Sequence, residues 1–384
     1  MLCAIAVAVS ASPKCAGAAP DLTVAVVATA SSPHQPHGEA PVAAIEERAQ
    51  RLNQSGGVAG RHVSVKTFTE DCTRAQATRV ANSVAALRPD VVIGHLCRVA
   101  ALAAAEIYAR AGILFIAPGV REPRLTAPAA GPLVFRLAGR DDRFAQETAA
   151  FVAATYPGRS VAMVTDRTRQ AQRLTASLTR ALNDLSVPIA RREELESGEV
   201  TYDDAAKRIA ATNAGVVIMP AQPIELAILT DGLRRLGVDA PVIGSDILAV
   251  PDIEGLAQRE GKRLVLMLPW TGLGSSSPMD AATTSPHAST ASTAPSPVAD
   301  AKLAVARRAE AALQAWAHAV ARAGSSEPHK VADLLRQETA PTVVGPLGFD
   351  AAGDARVPSY LPHTWTKTGW KRLDAIHPAN SMKP

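Results

Sequence analysis

The chain of 384 residues is long enough for two lobes of ordinary domain size, and its 47% apolar and 20% charged residues are typical of a globular protein. No apolar run reaches the roughly 18 residues that a membrane-spanning helix needs. The 40 basic and 36 acidic residues give a net charge of +4 without a block of five like charges, which removes the electrostatic argument for nucleic-acid binding.

Residues 1–18 have the features of a secretory signal peptide. An apolar core at 2–9 precedes the small residues Ala16-Gly17-Ala18, a typical cleavage site, and the alternative is an apolar N-terminal strand or helix. A periplasmic location is therefore expected. After cleavage only Cys72 and Cys97 remain, which in an oxidising compartment indicates one disulfide, with free buried thiols as the alternative.

From Asp21 to Thr126 short apolar runs alternate with amphipathic stretches, which predicts a parallel sheet covered by helices. Thr73 and Gln76 predict a capping box for the second helix, and Gly56-Gly57 ends the first. The predicted strands are 22–28, 63–67, 91–93 and 114–116, and the predicted helices are 42–54, 74–87 and 99–110.

The same alternation resumes after Gly139, without a repeat that can be aligned to the first half, and so predicts a second lobe. The fold class is α/β, with two doubly wound Rossmann-like lobes and a central cleft. The predicted strands of the second lobe are 161–165, 187–191, 215–219 and 242–244, and its predicted helices are 141–156, 170–185, 202–212 and 225–236.

Residues 272–300 are rich in Ser, Thr, Ala and Pro, a composition that predicts a flexible surface loop. Two helices are predicted after it, at 301–323 and 328–338. The chain then ends in the β-like stretch TVVGPLGFDAAGDARVPSYLPHTW, where Asp350 and Gly353 mark a turn.

The motifs of several common catalytic and nucleotide sites are missing. The sequence contains no GxxxxGK[ST], HExxH or GxSxG, and no GxGxxG between a strand and a helix. No set of nucleophile, base and oxyanion donors is visible either. We therefore expect a protein that is not an enzyme and needs no cofactor.

Three histidines and one cysteine have both a chemical and a structural interpretation. His34 and His37 follow the first strand, where a metal pair is less favoured than polar residues at the cleft mouth, so no metal site is expected. His95, beside an apolar strand, is interpreted as a hydrogen-bonded structural residue rather than a base. For Cys97, a disulfide is favoured over a nucleophile because Cys72 is available.

Two arginines stand where strands of the first lobe end. Arg98 follows the cysteine after strand 91–93, and Arg121 follows the Ala-Pro-Gly-Val turn after strand 114–116. Parallel sheets hold ligands at this edge. Asp246 ends a strand of the second lobe and either reaches the cleft or is a solvated loop carboxylate.

The stretches DCTRAQATRVANSVA, DVVIGHLC, AEIYARAGILFIAPGVREPRLT and TVVGPLGFDAAGD together resemble the leucine/isoleucine/valine-binding family of type I periplasmic binding proteins, the solute receptors of ABC importers. The resemblance runs from about Leu22 to Trp365 and is weakest across 272–300. It implies two α/β lobes that close on a solute, three crossings between them, and a disulfide between Cys72 and Cys97.

The crossings implied by the resemblance fall near Ala138, near Met267 to Pro269 and near Val357, with strand 360–366 returning to the second lobe. The expected domains are a signal peptide at 1–18, lobe 1 at 19–138 plus 269–356, and lobe 2 at 139–268 plus 357–384.

The resemblance also marks six positions of this chain as ligand-binding: His37, Arg98, Arg121, Gln170, Gln222 and Asp246. Family members that hold an amino acid have small hydroxyl residues at 98 and 121 and aromatic residues at 37, 170 and 222. Asp246 keeps the acidic residue that meets the solute's ammonium group.

An arginine in place of a hydroxyl residue adds volume, a permanent charge and five donors. Paired arginines suit a carboxylate or a phosphate, so we expect an organic acid, with two acidic groups or an aromatic ring as options, rather than free leucine, isoleucine or valine. An amino acid or amide in a rearranged site is a further alternative. The alternative is that Arg98 and Arg121 bend away, or that one pairs with Asp246 and fills the cleft.

The expected function is therefore that of a monomeric receptor that delivers a small solute to an ABC permease and its ATPase. A second hypothesis is a ligand sensor of the same fold that signals to a partner protein.

Overall fold

Two large β-sheets and one two-stranded sheet organise the described part of the chain. The computed structural model describes residues 20–29, 38–220, 223–246, 253–272, 297–367 and 369–373. The strands are β1 (Leu22–Thr29), β2 (Val63–Glu70), β3 (Val91–Gly94), β4 (Phe115–Ala117), β5 (Val134–Arg136), β6 (Val161–Asp166), β7 (Ile189–Leu195), β8 (Val216–Ile218), β9 (Val242–Gly244), β10 (Leu264–Pro269), β11 (Ala340–Thr342), β12 (Gly345–Leu347), β13 (Tyr360–Thr366) and β14 (Gly369–Arg372). The helices are α1 (Glu39–Gln54), α2 (Arg74–Leu87), α3 (Arg98–Ala111), α4 (Phe144–Thr155), α5 (Arg169–Asp184), α6 (Asp203–Ala210), α7 (Pro223–Arg235), α8 (Ile253–Glu260), α9 (Pro297–Ala323) and α10 (Pro328–Gln337).

The first sheet has five parallel strands in the order β2-β1-β3-β4-β5. Helices α1, α9 and α10 pack on one face, and α2 and α3 pack on the other. Because both faces are covered, β1, β3 and β4 read as nearly continuous apolar runs.

The second sheet has seven strands in the order β14-β13-β10-β9-β8-β6-β7. Strands β6 to β10 are parallel, whereas β13 runs antiparallel to both β10 and β14. Helices α6, α7 and α8 cover one face, and α4 and α5 cover the other. The predicted α/β class with two doubly wound units is confirmed.

Local signals account for most of the predicted elements. Helix α2 spans the predicted residues, and the Thr73 hydroxyl accepts the N–H of Gln76 at 3.2 Å. The reciprocal half of the capping box is missing, because the Thr73 N–H donates to Asp71 instead. The turn at Asp350 is closed by the Gly353 N–H.

One expectation about the low-complexity segment is wrong, and others concern residues that the structure does not describe. Helix α9 begins at Pro297, so residues 297–300 belong to the helix rather than to the predicted loop. The signal peptide at 1–18 and residues 273–296 lie outside the described residues. Within the described residues, no helix is both long enough and apolar enough to cross a bilayer.

The chain passes between the two sheets after β5, after β10 and before β13. The first and third of these crossings touch, because a Cβ on Gly139 would lie only 2.3 Å from the Cα of Ser359. The second crossing joins them through the Trp270 N–H, which donates to the Ser359 carbonyl at 3.0 Å. The three crossings therefore form one connected hinge.

Candidate functional site

A cavity of about 940 Å³ lies between the two sheets. Its first wall is the turn after β4, which carries Arg121, and its second wall comes from α5 and from the loops after β6, β8 and β9. Carboxyl ends of parallel strands meet here, as expected for a ligand site in a doubly wound fold. The volume is that of a pocket for a small molecule.

Arg121 crosses this cavity and contacts the opposite wall. Its Nη1 lies 3.2 Å from Asp246 Oδ2, and its Nε donates to the Gly139 carbonyl at 3.4 Å. The guanidinium carbon lies 4.4 Å from the centre of the Tyr360 ring. The side chains of Arg121 and Asp246 keep 21% and 34% of their surface exposed, so water still reaches the pair.

One donor of Arg121 has no hydrogen-bond partner among the described residues. Its Nη2 is buried and makes no hydrogen bond within the described residues. An unmade bond of a buried charged donor carries a desolvation cost. The ion pair with Asp246 therefore does not satisfy all the hydrogen-bond donors of the Arg121 guanidinium.

Tyr360, the aromatic support of Arg121, is held at the start of β13. The backbone N–H groups of Ser359 and Tyr360 both donate to the carboxylate of Glu147 on α4. Burial raises the pKa of Glu147, and burial raises the pKa of Tyr360 to about 12. The tyrosine thus stays protonated and its hydroxyl donates to the Asp141 carbonyl at 3.4 Å.

A second arginine lies behind the turn that carries Arg121. The buried Arg308 of α9 donates from Nε to the Pro118 carbonyl at 2.8 Å and from Nη1 to the Trp270 carbonyl at 3.0 Å. Burial lowers its pKa to about 10, and the charge of Arg121 adds to this effect. Since no described carboxylate pairs with Arg308, it adds positive potential on the side of Arg121.

Arg98 occupies a different position from Arg121. It is the first residue of α3, its side chain is 64% exposed, and its nearest acidic partner is Glu122 at 3.6 Å. Glu122 also pairs with Arg124, whose hydrogen bond lowers the pKa of the carboxyl. Arg98 does not line the cavity, so the structure does not bring the two predicted arginines together at the cleft.

The other predicted ligand residues are only partly described. Asp246 lines the cavity, whereas His37 and Gln222 lie outside the described residues. Gln170 belongs to α5, but its side chain is not described. Their roles stay predictions.

Sequence reasoning missed Arg173, Asp141 and Asp166, all of which line the cavity. Arg173 lies on α5 one turn after Gln170, and this i, i+3 spacing is the signal that could have identified it. Asp141 follows the crossing after β5, and Asp166 is the last residue of β6. Burial raises the pKa of Asp141.

The buried polar groups of the first sheet support a structural interpretation. Cys72 and Cys97 form a disulfide beside Glu70, and a metal site of these three residues has no free thiolate. His95 is fully buried, with Nε2 3.0 Å from the Tyr108 hydroxyl, and burial lowers its pKa to about 3. His95 is thus a neutral structural histidine, as predicted. His34 lies outside the described residues.

A fold of two α/β units around a charged cleft defines the class of bilobal solute-binding proteins. The sequence profile of the family described as periplasmic binding protein matches residues 21–362. The chain therefore belongs to the periplasmic binding protein family, and the family predicted from the sequence is confirmed.

Known proteins resemble the chain over nearly its whole length. The leucine-, isoleucine-, valine-, threonine-, and alanine-binding protein of Pseudomonas aeruginosa is 24% identical over 350 residues, 91% of each chain. A solved protein from Rhodospirillum rubrum has a TM-score of 0.71 at 18% identity, covering 92% of this chain and 100% of that one. A solute binding protein from R. palustris, solved in complex with benzoate, has a TM-score of 0.57 at 17% identity, covering 92% and 95%. These structural similarities concern the fold.

Proposed function

We propose that the chain is an extracytoplasmic receptor of an ABC importer of the branched-chain amino acid type, and that it binds a solute bearing a carboxylate in the cavity between the two sheets. The proposal includes export to the periplasm, a monomeric receptor, and delivery of the solute to a permease and its ATPase. Family membership supports the receptor role, and the Rhodospirillum rubrum neighbour is described as a branched-chain amino acid ABC transporter protein.

The ion pair between Arg121 and Asp246 is the observation that carries the choice of solute. A solute carboxylate can take the place of Asp246, since the pair is one partly exposed contact at 3.2 Å. Fully exposed pairs contribute only about 0–1 kcal/mol, and partial exposure moves this pair towards that range. A carboxylate with two oxygens can bind Arg121 in a bidentate manner and satisfy the Nη2 donor that Asp246 leaves unpaired.

The same residues disfavour free leucine, isoleucine or valine. The guanidinium of Arg121 lines the cleft, and the lining includes Asp141, Asp142 and Asp166. An aliphatic side chain placed among these groups would desolvate charges without pairing them, which is costly. An acidic solute would instead pair with Arg121, whose Nη2 donor makes no hydrogen bond within the described residues.

The known relatives support a carboxylate ligand without deciding among carboxylates. The Pseudomonas aeruginosa relative is named for five amino acids, and the R. palustris protein holds benzoate, a carboxylate without an ammonium group. A ligand sensor of the same fold would use the same cleft, so this second hypothesis differs only in the partner.

A thermal-shift screen of the exported protein against monocarboxylates, dicarboxylates and amino acids tests the proposal. A ligand at 100 times its Kd adds about 2.7 kcal/mol of stability. Arg121→Gln should lose the shift, whereas Arg124→Gln should keep it, because Arg124 lies on the adjacent turn, is 71% exposed and does not line the cavity. No shift with any carboxylate, or an equal shift in Arg121→Gln, contradicts the proposal.

Uptake measurements separate the importer from the sensor. Cells without the gene should lose uptake of the solute found in the screen. Normal uptake, with a lost transcriptional response to the solute, would favour the sensor instead.

A further inference from the structure

Four of the seven charged residues that line the cavity form an ion pair within the described part of the protein. Its described lining has two cations, Arg121 and Arg173, and five carboxylates. Three of the carboxylates already have arginine partners: Glu122 with Arg98 and Arg124, Asp142 with Arg140, and Asp246 with Arg121.

Of the two arginines that line the cavity, only Arg173 has no partner among the described residues. It lies on α5, is exposed, and makes no hydrogen bond or ion pair with any residue in the described part of the chain. A guanidinium stays charged at all accessible pH values and offers a planar set of donors to a carboxylate. Arg173 is therefore an unused anion-binding group on the wall of the cavity.

Arg121 and Arg173 reach the cavity from different sheets. Arg121 follows β4 of the first sheet, and Arg173 belongs to the helix that follows β6 of the second. We propose that Arg173 is the second anion-binding residue of the cleft, so that the solute carries two acidic groups, one bound by Arg121 and the other by Arg173. This inference rests on the proposed function, because it takes Arg121 as the partner of the first carboxylate.

A solute of this kind would connect the two walls directly. Each acidic group would contact a guanidinium carried by a different sheet, so the two contacts together depend on the separation of the two walls. A ligand shifts a conformational equilibrium only by its differential contacts with the two states. A diacid provides this difference, whereas a monoacid on Arg121 alone leaves Arg173 free.

Two lining carboxyls, Asp141 and Asp166, have no arginine hydrogen-bonded to them. Asp166 accepts from the Thr168 N–H and hydroxyl, and no hydrogen bond to the side chain of Asp141 is found within the described residues. Both oppose a plain dianion, and an amino group on the solute would offset that repulsion. Diacids with an amino group should therefore bind at least as tightly as those without one.

Calorimetric titration with matched pairs of acids tests the inference on the exported protein. The pairs are butyrate with succinate, valerate with glutarate, and norvaline with glutamate, so that each pair differs by one carboxylate. We expect the diacid of at least one pair to bind about tenfold or more tightly than its monoacid, the effect of one charge-assisted contact.

Two variants of α5 make the experiment specific. Arg173→Gln should abolish the preference for the diacid and leave binding of the monoacid in place. Arg180→Gln is the matched control, since Arg180 lies seven residues further along the same helix, is exposed, and lines a separate groove beside β7. It should bind both acids as the wild type does.

The outcomes distinguish this inference from the function on which it rests. Monoacids that bind through Arg121 with no gain for diacids, or a diacid preference that survives Arg173→Gln, would overturn the role of Arg173 alone. Failure of every carboxylate to bind would overturn both. A diacid preference that is lost in Arg173→Gln and kept in Arg180→Gln supports the assignment. Comparing the affinity for glutamate with that for glutarate then shows whether the amino group contributes to binding.

Discussion

Two arginine–carboxylate pairs lie close to the hinge, and they are built differently. Arg136 is fully buried and forms an ion pair with Asp354. The Asp354 carboxylate also accepts a hydrogen bond from the Thr126 hydroxyl and pairs with Arg140. Arg121 meets Asp246 through a single contact in a cavity that water reaches. The first pair saturates its carboxylate with donors, and the second leaves one of its own donors unused.

On the proposed function, this difference separates an ion pair that holds the fold from one that a solute would replace. A buried carboxylate with three partners cannot lose one without leaving a desolvated charge, whereas a partly exposed pair can be exchanged at a lower cost. The structural pair joins β5 to the segment before the third crossing. The exchangeable pair joins the two walls of the cleft.

Arg136→Gln should have the largest effect, because it leaves the buried Asp354 without its main cation. We expect a loss of about 3–5 kcal/mol in the free energy of unfolding, measured by urea denaturation. Arg140→Gln is the control, since Arg140 is partly exposed and also pairs with Asp142. A loss below about 1 kcal/mol in Arg136→Gln would remove the distinction between the two pairs.

Replacing both cysteines, Cys72→Ser with Cys97→Ser, should have the next largest effect. The disulfide joins positions 25 residues apart, and its loss should cost about 3 kcal/mol in the chain-entropy model. The bridge lies at the edge of the first sheet that faces the cavity. Melting curves with and without a reductant measure the effect, and equal melting temperatures would contradict it.

Asp246→Asn should change stability by less than about 1 kcal/mol and change the cleft more than the fold. Without its acidic partner, Arg121 should bind a simple monocarboxylate several times more tightly, and the solute-free protein should show a larger radius of gyration by small-angle X-ray scattering. Asp239→Asn is the control, because Asp239 is exposed and pairs with Arg263. Unchanged affinity would mean that Asp246 does not compete with the solute.

Glu70→Gln should give the smallest effect, visible only in its pH dependence. Glu70 is as buried as Arg136 but no arginine pairs with it among the described residues, and burial raises the pKa of its carboxyl. A raised pKa in the folded state means that the wild type loses stability as pH rises through that pKa. The difference in melting temperature, wild type minus variant, should therefore decrease as the pH is raised from 4 to 7. A constant difference would show that Glu70 is solvated.

Much of the fold follows from local pattern, while the charge pairs do not. The span of α2 was predictable because Thr73 caps it and apolar residues repeat at helical spacing. The pairing of Arg136 with Asp354 joins residues 218 positions apart, and no local pattern encodes it. Strand β5 was missed because it has three residues and ends in an arginine.

The candidate site shows the same limit. Strand-end reasoning placed Arg98 and Arg121 at one edge of the sheet, but Arg98 begins α3, and its side chain turns towards Glu122. Arg173 was missed because α5 carries three arginines, and only the packing of the helix decides which of them faces the cavity.

The position of Tyr360 has a mechanical consequence. The ring that supports the guanidinium of Arg121 is the first residue of the strand that leaves the third crossing, and Glu147 fixes its backbone. On the proposed function, a rotation of one sheet against the other would move this ring relative to Arg121. The affinity of the guanidinium for an anion would then depend on the angle between the two sheets, so that ligand binding and this angle would change together.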